Sequence, residues 1–408
     1  MFKEETMRRP EDGEGREAGP RASERLIWLM AVTAGTVVAN NYYNQPLLKD
    51  MSGEFAVSEQ AASWISSLTQ IGYALGLLLL LPLCDRIDRR RMISVMLCLS
   101  AAALVCFSLA GSYALLLGFG FLIGLTSIVP QILPPVASEM AAPGRGADAV
   151  GKVMAGLLLG IVLSRFVGGW VGHLVGWRVL YAMAAGVMIV LMIVLRASLP
   201  RSTPSFHGSY GALMASLLDL VMAHGRLRSL SLAAALQFGA FSLFWTTLAF
   251  FLASLPGHYP ASVAGSFALV GAVGVLSALL AGRVLRQFSG RQVLGTSGLL
   301  MLAAFPLFLL SLRGGIGWLV PAVILLDLGM QVSHVTSMSS ILAIDPTSRS
   351  RLNTVYMVTR FAGGALGTLA GGVAWAQGGW PAVCLVGALM ALLALAINLA
   401  GARTPERV

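Results

Sequence analysis

From residue 26 onward, apolar stretches of membrane-spanning length alternate with short polar ones. A bilayer's hydrocarbon core takes about 20 apolar residues as a helix. Twelve segments meet that requirement: 26–47, 61–83, 92–111, 113–137, 150–173, 178–195, 229–253, 262–282, 292–312, 316–342, 353–375 and 380–400. They are numbered here as spans 1–12. The ends break the pattern. Residues 1–25 are polar and carry both charge signs, which predicts a disordered tail, and 401–408 form a short second tail. No short apolar run before span 1 ends in a small-residue cleavage site, so span 1 is expected to act as its own insertion signal.

The other break lies in the middle. Residues 196–228 are basic through Arg196, Arg201, Arg226 and Arg228, and Pro200 and Pro204 interrupt them. The stretch reads as a linker, with an amphipathic helix over 210–223 lying at the membrane surface. It divides the chain into six-span halves, 26–195 and 229–400, that match at an offset of 203. Pro143 answers Pro346, Met154 answers Met357, and Gly160 answers Gly363. Gly168-Gly169 answers Gly371-Gly372, and Gly176-Trp177 answers Gly379-Trp380. A parallel repeat of this kind predicts an all-α membrane protein of two related six-helix bundles, with substrate bound between them near mid-depth.

Composition agrees. The chain of 408 residues is 57% hydrophobic and 11% charged, against roughly 25% charged in a soluble domain. Charge then sets orientation. With the N-terminus inside, the inner loops and tails hold 23 of the 28 Lys and Arg residues. Both termini are therefore expected in the cytoplasm, at the inner membrane of a bacterium. The net charge of +10 reads as topology and contact with anionic lipid, not as a nucleic-acid footprint. Cys84, Cys98, Cys106 and Cys384 match no metal spacing and read as small core hydrophobes. No cofactor or metal is expected.

Few ionisable side chains lie inside spans, where they are costly and face a cavity or a partner. Asp327 is the one deep acid. It sits about 16 Å into span 10 by the helical rise, which makes it the candidate proton-coupling group. His334 lies two turns along the same face, as a relay or as packing. Arg165 is near mid-depth in span 5, either clamping an anionic substrate with two hydrogen bonds or pairing with Asp327. Arg360, about two turns into span 11, either joins the cavity or snorkels to the inner surface. In span 1, Asn40, Asn41, Tyr43, Asn44 and Gln45 form a polar band. Helical spacing puts Asn40, Tyr43 and Asn44 on one face and makes them the cavity candidates. Gln131, Gln237, Trp245 and Gln331 are added to that set, with Gln70, Tyr73, Phe238 and Phe241 as weaker ones.

Three motifs carry a resemblance. After span 2 the chain reads Pro82-Leu83-Cys84-Asp85-Arg86-Ile87-Asp88-Arg89-Arg90-Arg91. This resembles the loop 2–3 signature of the major facilitator superfamily, Gly-x-Leu-Ala-Asp-Arg-x-Gly-Arg-Arg, at Leu83, Asp85, Arg86, Arg89 and Arg90. Pro82 and Asp88 depart from it. The resemblance implies a conformational latch of Asp85, Arg86, Arg89 and Arg90 against neighbouring helix ends, with Arg349, Arg351 or Arg360 as possible partners of Asp85. The counterpart Gly282-Arg283-Val284-Leu285-Arg286-Gln287-Phe288-Ser289-Gly290-Arg291 lacks the acid. Span 5 carries Gly160-x-x-x-Ser164-Arg165-x-x-Gly168-Gly169, and span 11 carries Gly363-x-x-x-Gly367-Thr368-x-x-Gly371-Gly372. Both resemble the family's antiporter motif, Gly-x-x-x-Gly-Pro-x-x-Gly-Gly, and small residues four apart let helices approach closely. Arg165 stands where the family has Pro. The end of span 1 (Ala39–Leu48) and the Asp327-to-His334 stretch resemble arabinose-efflux-like and multidrug-efflux-like bacterial members.

The resemblance implies proton-coupled export of a small drug, sugar or metabolite by alternating access. Uptake of a small organic anion through Arg165 is the alternative, and a transceptor that binds without transporting is a third. The sequence holds no His-Glu-x-x-His, no nucleophile elbow and no phosphate-binding loop, so neither an intramembrane enzyme nor ATP-driven transport is expected. Each chain encloses its own cavity, so the expected partners are substrate, protons and lipid, with the chain a monomer.

Overall fold

The computed structural model describes residues 24–142, 144–201, 210–272, 287–345 and 348–401, without the Asp85 side chain. Residues 1–23 of the tail expected over 1–25, the end of span 8, the Gly282–Arg286 part of the second loop and the Pro143/Pro346 pair lie outside them, while Glu24 and Arg25, placed in that tail, are helical.

The first half holds α1 (Glu24–Ala39), α2 (Leu48–Glu54), α3 (Glu59–Leu79), α4 (Arg89–Ser108), α5 (Tyr113–Thr126), α6 (Val129–Met140), α7 (Gly146–Val175) and α8 (Trp177–Ser198). Next comes α9 (Tyr210–Ala223), the surface helix at the predicted residues. Its Leu213, Leu217 and Leu220 face the protein while Leu218 and Met222 point away from it. The second half holds α10 (Gly225–Ser254), α11 (Ala261–Ala272), α12 (Gly290–Gly314), α13 (Leu319–Leu342) and α14 (Arg349–Gly401).

Two departures from the predicted spans have local causes. Span 4 is two helices, α5 and α6, parted at Ser127-Ile128 just before Pro130, with Pro134 and Pro135 inside α6. Proline withholds a donor and crowds the preceding turn. Span 1 does not stay helical to residue 47. It unwinds at Asn40 into turns, then a short 3₁₀ helix over Gln45–Leu47.

The repeat is visible in the backbone. Gly176 joins α7 to α8 with φ 85° and ψ 152°. Gly379 breaks α14 into arms 349–378 and 380–401 with φ 60° and ψ −151°. These conformations belong almost to glycine alone, so spans 5–6 and 11–12 each turn at one residue. The following tryptophans, Trp177 and Trp380, are both buried.

The glycine motifs sit where helix backbones meet. A methyl at Gly160 would strike the backbone of Gly35 on α1, and one at Gly363 that of Ala235 on α10. Gly367 would likewise meet Gly239, while Gly168 faces Tyr43 and Gly371 faces Leu243. The last glycine of each motif points across to the other half. A methyl on Gly169 would lie 2.5 Å from the Ala261 carbonyl oxygen of α11, and one on Gly372 would lie 2.7 Å from Ser63 Oγ of α3. Ser164 instead donates to the Ile161 carbonyl within its own helix, at 2.7 Å.

Candidate functional site

Side chains of both halves converge on Arg165. It lies on α7, is 2% exposed, and donates through Nε to Gln45 Oε1 at 2.6 Å and through Nη1 to the Ile161 carbonyl at 3.3 Å. Three rings surround its guanidinium: Tyr42 at 4.8 Å, Phe241 at 5.3 Å and Trp245 at 4.5 Å. Tyr42 and Gln45 belong to the first half, Phe241 and Trp245 to α10 of the second. Such rings favour a cation by their quadrupoles but supply no counter-charge.

Arg360 on the 349–378 arm is the second buried cation. Its guanidinium lies 4.5 Å from the Phe238 ring, and Phe238 stacks on Phe241 with centroids 5.8 Å apart. It is 7% exposed, so it does not snorkel to the surface. Tyr42 lies within electrostatic reach of both arginines.

Asp327 is buried on α13. It and Arg165 sense each other's charge, yet among the described residues neither Arg165 nor Arg360 forms an ion pair with any carboxylate. The direct Arg165–Asp327 pair is thus not formed. Space beside the carboxyl is kept by Gly271 of α11, where a methyl would stand 3.0 Å from Asp327 Oδ1. Gln331, one turn on, is buried too. His334 makes no contact with Asp327; its Nδ1 meets the Tyr356 hydroxyl at 2.8 Å and the two rings stack.

The other candidates divide. Gln237 accepts from Ser333 Oγ at 2.7 Å, and Gln131 donates to the Tyr73 hydroxyl at 3.4 Å. Tyr73 packs on Phe361 of the opposite half, 4.5 Å between centroids. Gln70 donates to Thr368 at 3.0 Å, again across the halves. The span 1 trio is a correction. Asn40 turns into the first half, 3.5 Å from both Ser100 Oγ and Met188 Sδ. Asn44 donates to Thr69 at 3.4 Å. Tyr43 packs against Tyr181 and lines an apolar groove of about 290 Å³ between α1 and α7. Because the helix unwinds at Asn40, the spacing of three and four no longer defines a face. Tyr42 and Gln45 take the central place instead, and only the unwinding, not helical periodicity, distinguishes them.

The latch residues take local roles. Arg89 pairs with Glu139 at the end of α6 at 2.5 Å, and Asp88 caps α4 by accepting from the Arg90 amide at 3.1 Å. Arg86 is exposed, and the expected latch through Asp85 rests on a side chain that lies outside the described residues. Among the cysteines, Cys84 and Cys384 are buried, but Cys98 is exposed on α4 and so is not a core residue.

A helical membrane protein with two repeated halves meeting around buried, unpaired polar groups is built as a secondary transporter. The chain belongs to the Major Facilitator Superfamily, whose family model matches residues 30–368. It is 38% identical over 375 residues to "Uncharacterized transporter YgaY" of Escherichia coli O157:H7, covering 92% of this chain and 95% of that one. With "Probable transporter SCO4007" of Streptomyces coelicolor it shares 32% over 383 residues, covering 93% and 87%. Among solved structures it resembles a bacterial homolog of the human lysosomal transporter Spinster in its inward-facing, unoccupied conformation. The TM-score is 0.72 at 18% identity, over 94% of this chain and 98% of that one.

Proposed function

We propose that the protein is a proton-coupled carrier in which Asp327 takes up and releases the proton while substrate occupies the space around Arg165 between the two halves. One observation carries this: Asp327 is the sole deep acid in the sequence, it is buried, and among the described residues its Oδ2 has no hydrogen-bond partner. A structural carboxylate at that depth is paired or fully hydrogen-bonded. One that stands beside a cation without touching it is poised to change charge. The sign of the substrate's charge then decides the coupling. A cation would compete with the proton for Asp327 and exchange against it, as the span 5 motif implies. An anion would compete with the Asp327 carboxylate for Arg165 and travel with the proton.

The test is proton flux in liposomes with a pH-sensitive dye trapped inside, across a panel of drugs, sugars and organic acids. Substrate-dependent flux in the wild type, abolished in Asp327→Asn, is the expected result. Flux that survives in Asp327→Asn removes the proposal.

A further inference from the structure

A group of buried donors around Arg165 is left unmet. Among the described residues, Arg165 Nη2, Gln45 Nε2 and Trp245 Nε1 are all buried without an acceptor, and so are Gln237 Nε2 and Arg360 Nη1. Gln45's orientation follows from chemistry, since only the oxygen of a side-chain amide can accept the arginine N–H; accepting at Oε1 leaves the amide nitrogen free. Each unmet donor costs about 1–3 kcal/mol. On the acceptor side stand Asp327 Oδ2 and Gln331 Oε1 on α13, and the amide oxygens of Asn40, Asn41 and Asn44 in the unwound end of span 1; of these only Asp327 can supply a counter-charge. Charge leans the same way: two buried arginines face a single buried acid.

We propose that the carried substrate is a small organic anion whose carboxylate, or phosphonate, is received by Arg165 Nη2, Gln45 Nε2 and Trp245 Nε1. The inference rests on the carrier reading above and names the substrate class of that site. The donors come from both halves, Arg165 and Gln45 from the first and Trp245 from the second. A bound anion therefore ties the halves to each other, as a substrate must if it is to accompany their rearrangement. Phe238, Phe241 and Phe361 supply an apolar wall for the rest of the molecule. A charge-assisted, multi-donor site discriminates strongly against a neutral isostere, which leaves the same donors unpaired.

Proton and anion then bind together. An ionised Asp327 competes with the substrate for the field of Arg165, and protonation releases it. By linkage the anion raises the proton affinity of Asp327 as much as the proton raises the affinity for the anion. The other charged or titratable groups facing this region are Arg360 and Tyr356 on α14, Tyr42 before α2, and His334 on α13 itself. Of these residue types histidine alone ordinarily titrates near neutrality, so His334→Gln serves as the control.

The test uses the full chain in lipid nanodiscs and reads thermal stabilisation by ligand. The probes are benzoate and phenylacetate beside their neutral amides, with methylphosphonate as a second anion. The acids are expected to raise the melting temperature, more at pH 5.5 than at pH 8, and the amides to leave it unchanged. Gln45→Glu sets a fixed carboxylate against Arg165 in nearly the same volume. It is expected to keep the ligand-free melting temperature and to weaken acid binding at least about tenfold. Asp327→Asn is expected to keep acid binding but lose its pH dependence, which His334→Gln retains. Amides that bind as well as acids, or acids that bind Gln45→Glu unchanged, overturn the anion site and leave its donors to water. Acid binding that is lost in Gln45→Glu yet independent of pH in the wild type upholds the anion and overturns the role of Asp327.

Discussion

Arg165 shows how one buried side chain combines charge, shape and hydrogen bonding. Its Nε bond to Gln45 and its three ring contacts fix the plane of the guanidinium. Lysine preserves the charge but has neither a planar fork nor an Nε donor. Arg165→Lys is thus expected to weaken substrate binding by about 1.5–3 kcal/mol, roughly ten- to a hundred-fold, while the protein still folds; binding isotherms in nanodiscs check this. His334 separates from Asp327 on similar grounds. Because its ring is tied to Tyr356, His334→Gln is expected to retain proton flux in liposomes that Asp327→Asn abolishes. Arg165, Arg360 and Asp327 were legible in the sequence, because an ionised group at that depth is rare and stands out from an apolar background. Tyr42 and Gln45 were not. Their place depends on where α1 stops, and no local signal such as proline or glycine marks Ala39 as its end.

At the scale of elements, apolar length and small-residue spacing foretold most of the helices, since in lipid the backbone has few alternatives to helix. The helix over 210–223 follows from the same reading, whereas Gly176 and Gly379 stood out only as repeat partners and their turns are read from the backbone. The split of span 4 was hidden because its prolines lie within an unbroken apolar run, which length alone scores as one helix. The motif glycines make separable predictions. Gly379→Ala forces a Cβ into a backbone region reserved for glycine and is expected to cost about 1–3 kcal/mol, read as a lower melting temperature with substrate affinity unchanged. Gly160→Val drives a side chain into the Gly35 backbone. The helices α1 and α7 would have to separate, so its cost exceeds that of Gly160→Ala, and thermal unfolding of the pair in nanodiscs measures the difference.

Across the whole molecule, the described contacts between halves gather at mid-depth and toward the ends away from the N-terminus of α1. Trp170 donates to Ser266 at 3.0 Å, Trp375 donates to Glu59, and Ser67 donates to the Ala365 carbonyl at 2.9 Å. Gly169 and Gly372 let α7 meet α11 and α14 meet α3 at the same level. On the proposed orientation, with the termini inside, these contacts would form a seal on the outer face. The proposed carrier cycle requires that seal to open and reclose, so on this reading its stability sets the balance between states. Valine at both glycines overpacks the closed seal by roughly 1–3 kcal/mol at each site and has no such cost once the halves part. The balance should then move toward the outward-open state by about five- to 150-fold per site. A cysteine in place of Ser67, which is buried at the seal, reports this in a background with the four native cysteines replaced. An impermeant maleimide added outside is expected to label it slowly in the parent and much faster with Gly169→Val and Gly372→Val combined. Equal labelling rates would mean that these glycines pack the halves without governing access, and the seal would then rest on its aromatic and polar contacts instead.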